Sequence, residues 1–331
     1  VKVLFLNGPG FDYMTAQICE GFHLLHKDGE LEFKALHRIT HHGAAVHDMP
    51  ETPLDEAIDA VGWADYVLYS TAGAMDHMNG PVREALEDPD NYHKNVMLDG
   101  HDGDGFLIDP RVVLVYFKRE FRLPKFNNID LFNVRSLVFG ICDYLIQNLM
   151  WHDSLDEDWS ERDIDVSFMA FGGSNPIRRK CADVLEQIAQ EKGWNLECHV
   201  QDDGQPIPLD RYHEMLYRSK VGISMPGAGL DTNRYWEIPA HGAVLATYDF
   251  HNALFVRNNF EANRHCLHLQ SWQAMAELCH AVVTDKTKWV QLRSAADRHL
   301  QFHTTRSRAK EIIQICDELA SVRGSNSSCM A

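Results

Sequence analysis

The sequence has no apolar run approaching the roughly 18 residues that would span a bilayer. It has little positive charge: 31 Lys and Arg stand against 48 Asp and Glu, a net charge of −17. Such a chain is a poor partner for nucleic acid or an anionic membrane surface as a whole, though a local basic patch can still bind a phosphate. It has no CxxC pair; its eight cysteines are scattered through hydrophobic segments, as buried, reduced thiols of a cytoplasmic protein would be. It lacks short repeats and low-complexity tracts. The opening VKVLFLNGPG is too short and wrongly flanked for a signal peptide and reads as a first buried strand.

What remains is a soluble balance, 45% hydrophobic and 24% charged over 331 residues, enough for two domains each with its own core. Short apolar runs alternate with helical patterns. Strands are expected over 2–6, 31–36, 66–70, 95–98 and 112–117, with helices over 13–26, 53–61 and 78–86. The acidic stretch 151–164 has no strong period and reads as a linker. The alternation then restarts, with strands over 166–170, 194–200, 221–225, 244–247 and 266–269. Helices are expected over 177–192, 209–219 and 272–283, and a last one from 305 to 322. This is an α/β chain of two Rossmann-like domains, 1–155 and 156–322, ending in a disordered tail at 323–331. Two such domains facing each other leave a cleft at the C-terminal ends of both sheets, where ligands bind.

The densest polar stretch is GAGLDTNRYWEIPAHGAVLATYDF, residues 227–250. Gly227, Ala228 and Gly229 let backbone approach a ligand, and Asp231 or Thr232 can cap a helix whose free N–H groups favour a diphosphate. Arg234 suits bidentate phosphate binding and Glu237 can accept ribose hydroxyls. Pro239 shortens or kinks that helix. The bland alternative is a capped helix with an internal Arg234–Glu237 ion pair and Tyr235 and Trp236 in the core.

In the first half, LDGHDGDGF sets Asp99, His101, Asp102 and Asp104 just after a strand. Asp102 or His101 fits a general base by position; the alternative is an Asx-rich turn. Asp102-Gly103-Asp104 also fits a metal-binding D-x-D, and the run starts like a Ca²⁺ loop but has no closing glutamate. Lys118 or Arg119 balances this acidic loop or pairs with Glu120. The turn after the first strand, with Gly8, Gly10 and Asp12, starts an acceptor side or is simply a tight turn. His37, His41, His42 and His47 follow no metal template and read as an acceptor-side loop.

GLDTNRYWEIPAHGAVLAT resembles the donor-site signature of the spore-maturation (CgeB-like) and exostosin-like glycosyltransferases of the GT-B fold. RDIDVSFMAFGGSNPIRRK resembles that family's donor-domain opening, LDGHDGDG with VYFKREF its N-terminal acidic loop and strand, and FHTTRSRAKEII its C-terminal helix. The resemblance implies a nucleotide-sugar donor held by the second domain and an acceptor held mainly by the first, with Gly8, Gly10, Asp12, Asp99 and Arg119 on the acceptor side. It also implies a C-terminal helix returning to the first domain. It carries Arg234 to the diphosphate and Glu237 to the ribose, and sets Gly172, Gly173, Ser174 and Arg178 near the phosphates or sugar. The turn FGGSNP is richer in glycine than the family's usual one. Such enzymes generally need no metal, so no cofactor is expected. The acceptor stays open among glycan, lipid-linked sugar, protein and small molecule. A sugar-nucleotide epimerase or hydrolase, or a binding protein without turnover, would use the same scaffold.

Overall fold

The computed structural model describes residues 1–8, 12–38, 48–70, 80–103, 105–121, 132–143, 159–201, 207–248, 254 and 256–328. The chain divides into two compact units, Val1–Tyr144 with Thr304–Ala331, and Leu145–His303.

The first unit holds a six-stranded sheet in the order β2-β1-β3-β4-β5-β6, every pairing parallel. Its strands are β1 Lys2–Asn7, β2 Glu32–Ala35, β3 Tyr66–Ser70, β4 Asn95–Asp99, β5 Val115–Lys118 and β6 Val134–Ser136. β3, β4 and β5 are buried at every position, so their sequences run apolar without alternation, as strands covered on both faces do. β5 starts later than the sequence implied because Pro110, capped by Asp109, sets a 3₁₀ turn over Pro110–Val112. Leu6, Val67, Tyr69, Met97 and Tyr116 build the core with Val82 and Leu86 of helix α3, Gly80–Glu87; α2 is Leu54–Asp59.

Helix α1, Tyr13–Lys27, packs against the last helix, which is labelled α9 below and spans Thr305–Ser328. A Cβ at Gly21 would overlap the Thr305 carbonyl, so glycine is what lets the two helices approach. Thr305 Oγ1 donates to the buried Glu20 carboxylate at 2.7 Å. The last helix thus returns to the first unit, and the second unit ends at His303 rather than at 322. Helix continues through Ser328, so the tail expected from 323 is not irregular there; residues 329–331 lie outside the described residues.

The second unit holds a five-stranded, all-parallel sheet in the order β11-β10-β9-β7-β8. The strands are β7 Ile164–Phe171, β8 Leu196–Gln201, β9 Ser219–Ser224, β10 Val244–Tyr248 and β11 Leu267–Leu269. The helices are α4 Pro176–Lys192, α5 Leu209–Arg218, α6 Asn233–Ala240, α7 Trp272–Val283 and α8 Lys286–Leu300. Val166, Phe168, Val221, Ile223 and Ala246 pack with Leu185, Met275, Cys279, Trp289 and Leu292. From β7 the chain runs to β8 on one side and, later, to β9 on the other. That reversal makes the C-terminal ends of β7 and β9 the switch point where ligands bind in open parallel sheets. In the first unit the same reversal falls between β1 and β3.

Among the described residues no helix is long and apolar enough to cross a membrane. Seven cysteines are free thiols; Cys329 lies outside the described residues.

Candidate functional site

At the switch point of the second unit, β7 ends in the 3₁₀ turn Gly172–Ser174 and α4 begins at Pro176. Asn175 caps α4, accepting from Ile177 N at 3.1 Å, and its Nδ2 donates to Gly227 O at 3.1 Å. One side chain therefore ties the loop after β7 to the loop after β9. Arg178 does the same from the first turn of α4. It donates to Pro226 O (2.8 Å), Met225 O (3.3 Å), Phe171 O (3.1 Å) and Ser174 Oγ (2.7 Å). A Cβ on Gly227 would sit 2.8 Å from Arg178 Nη2, so the glycine lets the loop lie on the guanidinium. Arg178 is thus a brace for both loops, buried, with most of its donors spent. Gly173 and Ala228 are exposed beside it and Gly229 is buried, its carbonyl taken by Gly227 N at 2.9 Å.

Arg234 has no such partners. It lies on the first turn of α6, half-buried, and its Nε is out of water without a hydrogen-bond partner among the described residues. Its guanidinium lies over the Tyr212 ring at 5.9 Å. No described carboxylate pairs with it; the internal Arg234–Glu237 ion pair left open by the sequence does not form. Glu237, only 6% exposed, instead accepts from Tyr212 Oη at 2.5 Å through Oε2. Burial, and then the charge of Arg234, lower the Arg178 pKa to about 10, so Arg178 stays cationic at neutral pH. Two guanidinium groups lie beside the switch point, and neither has a carboxylate partner among the described residues.

The start of α6 differs from the sequence expectation. Thr232 is the N-cap residue but makes no side-chain cap bond; its Oγ1 meets Ser224 Oγ at 3.0 Å. Asp231 is turned inward, accepting from Trp236 Nε1 at 3.0 Å. Both residues are buried and serve the fold. Tyr235 and Trp236 are core residues, as the alternative reading had them. α6 is short, with Pro239 near its end.

The residues that sequence reasoning missed lie on α5. Tyr212 holds Glu237, and His213 Nδ1 meets His241 Nε2 at 2.8 Å with the rings stacked. His241 Nδ1 lies 2.7 Å from the Glu237 carbonyl, which can only accept. The protons are therefore assigned: His241 donates from Nδ1 and accepts at Nε2 from His213. Nothing local in the sequence links α5 to α6. Asn175, by contrast, was signalled by Asn-Pro at a helix start.

In the first unit β4 delivers Asp99, fully buried. Its carboxylate accepts from Tyr116 Oη (2.6 Å), Lys118 Nζ (2.9 Å) and His101 N (2.9 Å). Burial, then Asp99, push the Tyr116 hydroxyl pKa well above its ordinary value. Asp99 is an anchor of the loop, closed to any acceptor, which corrects its placement on the acceptor side. Asp12 caps α1 through Thr15 N at 2.8 Å, and its Oδ1 lies 3.2 Å from where a Cβ on Gly100 would stand. Gly8 N donates to Ser70 O at 3.3 Å. Arg119 joins Lys118 in balancing the loop: it pairs with Asp102, reaches Glu120 at 3.4 Å and donates to Gly100 O at 3.0 Å. Both options read from the sequence hold together here.

His101 Nδ1 accepts from Gly103 N at 2.9 Å, which places the ring proton on Nε2 and occupies its basic lone pair. The Asp102 side chain is 40% exposed, with one oxygen on Arg119. Asp102 is thus the more available base of the two. Gly10, Asp104, His41, His42 and His47 lie outside the described residues; His37 exchanges two hydrogen bonds with Asn7 through its backbone.

Comparison with known proteins adds the following. A family model described as "Glycosyl transferase-like" matches residues 167–314, which include Arg178, Tyr212, Arg234, Glu237 and His241. No protein of curated function matches the chain by sequence. Among solved structures, an alpha-glucosyltransferase in complex with UDP is 13% identical with a TM-score of 0.65, covering 96% of this chain and 99% of that one. The same kind of enzyme, bound to UDP and a 13-mer DNA with a central A:G mismatch, gives 12% and 0.66 over 96% and 99% of the two chains. Anabaena HepE in complex with UDP gives 11% and 0.54 over 96% and 100%. At such identities the likeness establishes the fold, and the fold is GT-B: two α/β units, each on a parallel sheet.

Proposed function

We propose that this chain is a glycosyltransferase that moves a sugar from a nucleoside-diphosphate sugar to an acceptor hydroxyl. The observation that carries the reading is Arg234, a guanidinium without a counter-ion among the described residues, at the switch point of a GT-B sheet. A half-buried cation left unpaired is costly unless an anion completes it. A diphosphate is such an anion, and as the leaving group it gains negative charge in the transition state, where Arg234 stabilises it most. The glycosyl transferase-like match over this region and the UDP in the solved neighbours support a uridine nucleotide as the first donor to try.

Glu237 binds the ribose, with the oxygen that Tyr212 leaves free. Arg178 shapes the two loops and adds its charge. With arginine doing the work of a cation, transfer proceeds without a divalent metal. For an inverting transfer Asp102 takes the acceptor hydroxyl proton on the oxygen not held by Arg119; the acceptor oxygen bonds to the anomeric carbon, and the bond to the diphosphate breaks with its electron pair leaving on phosphate oxygen. The net charge of −17 argues against DNA as this chain's acceptor, whatever its neighbours bind. The DTNRYWE stretch supports kinship with the CgeB-like branch, and the free thiols fit a cytoplasmic setting.

Calorimetry with UDP, GDP, ADP, CDP and TDP, with and without EDTA, tests the donor site; binding that vanishes in EDTA overturns the metal-free reading. A panel of nucleotide sugars with and without acceptors then tests turnover. Asp102→Asn should keep donor binding and lose about 10²–10⁴-fold in rate. Undiminished transfer by Asp102→Asn removes the base from that position.

A further inference from the structure

We propose that Tyr212 is a positioning residue of the donor site, fixing the Glu237 carboxylate so that one oxygen only is presented to the nucleotide ribose. The inference rests on the donor-site reading above and adds a residue and a selectivity to it.

Glu237 is held from α5 at two points. Tyr212 Oη donates to Oε2 at 2.5 Å. The next residue, His213, bonds His241, which in turn donates to the Glu237 carbonyl at 2.7 Å. Glu237 and His241 stand one turn apart on and just after α6, and Tyr212 and His213 are adjacent on α5. The carboxylate is therefore clamped at its tip while the backbone beneath it is clamped by the histidine pair. A carboxylate that is nine-tenths buried and anchored through one oxygen has lost its rotational freedom before a ligand arrives, which lowers the entropic cost of binding. It also has a single unoccupied oxygen, Oε1, among the described contacts.

The Tyr212 ring has a second neighbour, the Arg234 guanidinium 5.9 Å above it. Hydroxyl and ring thus separate by chemistry: the hydroxyl addresses the ribose-binding carboxylate, and the ring supports the phosphate-binding cation. Burial alone does not explain this arrangement. A tyrosine serving only the core would need no carboxylate, and a carboxylate serving only the core would be paired with the nearby arginine.

The test is calorimetry on the full chain with the tightest-binding nucleoside diphosphate and with its 2′,3′-dideoxy counterpart. Tyr212→Phe keeps the ring and removes the hydroxyl. It should weaken the nucleoside diphosphate about tenfold, the order expected for a hydrogen bond to a charged group. It should leave binding of the dideoxy ligand unchanged, and have no further effect in a Glu237→Ala background. Equal loss for both ligands, no loss, or tighter binding overturns the proposal; tighter binding would mean that Tyr212 competes with ribose for Oε2. Should Tyr212→Phe fail to fold, the wild type answers the same point with the 2′-deoxy and 3′-deoxy diphosphates. One available oxygen predicts that removing one hydroxyl costs about tenfold and removing the other little; comparable losses overturn the proposal. If the wild type binds no nucleoside diphosphate at all, the donor-site reading falls and this proposal with it, an outcome distinct from ribose-independent binding, which sinks Tyr212 alone.

Discussion

Arg119 and Arg234 sit at comparable places, each just beyond a parallel strand in its own unit, and they are treated in opposite ways. Arg119 is surrounded by oxygen: Asp102, Glu120 and the Gly100 carbonyl, with the Phe139 ring 4.6 Å from its guanidinium. Arg234 has a tyrosine ring and no oxygen among the described residues. Lys118 and Asp99, both fully buried, extend the first pattern. The difference separates charges that hold a loop in shape from a charge held in waiting. The first kind should fail by unfolding and the second by losing a ligand.

The largest expected effect is on the paired side. Asp99→Ala leaves Lys118 buried without the carboxylate it pairs with and Tyr116 without its acceptor, and should cost about 3–5 kcal/mol of unfolding free energy. Urea denaturation measures it; a loss under 1 kcal/mol would show that the triad is not structural.

Next is Arg234→Ala. Losing a cation aimed at the leaving group should lower turnover by about 10²–10³-fold and weaken nucleoside diphosphate binding. The melting temperature should hold or rise, since the residue removed has no counter-ion among the described residues. A melting temperature that falls while the folded fraction keeps full activity would erase the contrast with Arg119.

The smallest effect sharpens the comparison through pH. Burial foremost, then the charges of His213 and Arg162, hold His241 neutral and lower its pKa to about 3. The unfolded chain binds that proton near 6.5, so between those values the unfolded state carries more protons and stability falls as pH falls. The slope is about 1.4 kcal/mol per pH unit at most. Thermal scans between pH 7 and 5, above most carboxylate titration, should show it, and His241→Gln should flatten it. A His241→Gln profile identical to wild type would place the acid sensitivity elsewhere, for instance at His265, whose pKa burial and His299 lower to about 4.

How much of this was legible in the sequence follows from range. Arg234 and Glu237 lie on one short helix, so their spacing speaks for itself. The alternation of strands and helices was legible because central parallel strands are apolar throughout. α8 was missed: its buried apolar positions, Trp289, Leu292, Ala296 and Leu300, form a thin stripe among charged neighbours, although Asp285 caps it. β6 spans three residues, below what a periodic pattern can show. Tyr212 and Asn175 meet partners 25 and 52 residues away, through pairings that only the folded sheet order creates. Asp99 and Asp231 were read as ligand-facing because acidity in a loop looks the same whether the carboxylate turns outward or in.

The return of α9 to the first unit has a consequence for synthesis. On a ribosome adding about 5–20 residues per second, residues up to 144 emerge roughly 10–40 s before the helix that covers α1 is complete. Through that interval Glu20 has no Thr305 hydroxyl and the notch at Gly21 is open. The second unit, contiguous along the chain, has no such wait. The nascent protein therefore finishes its later half first, and its earlier half is the client that a chaperone would meet.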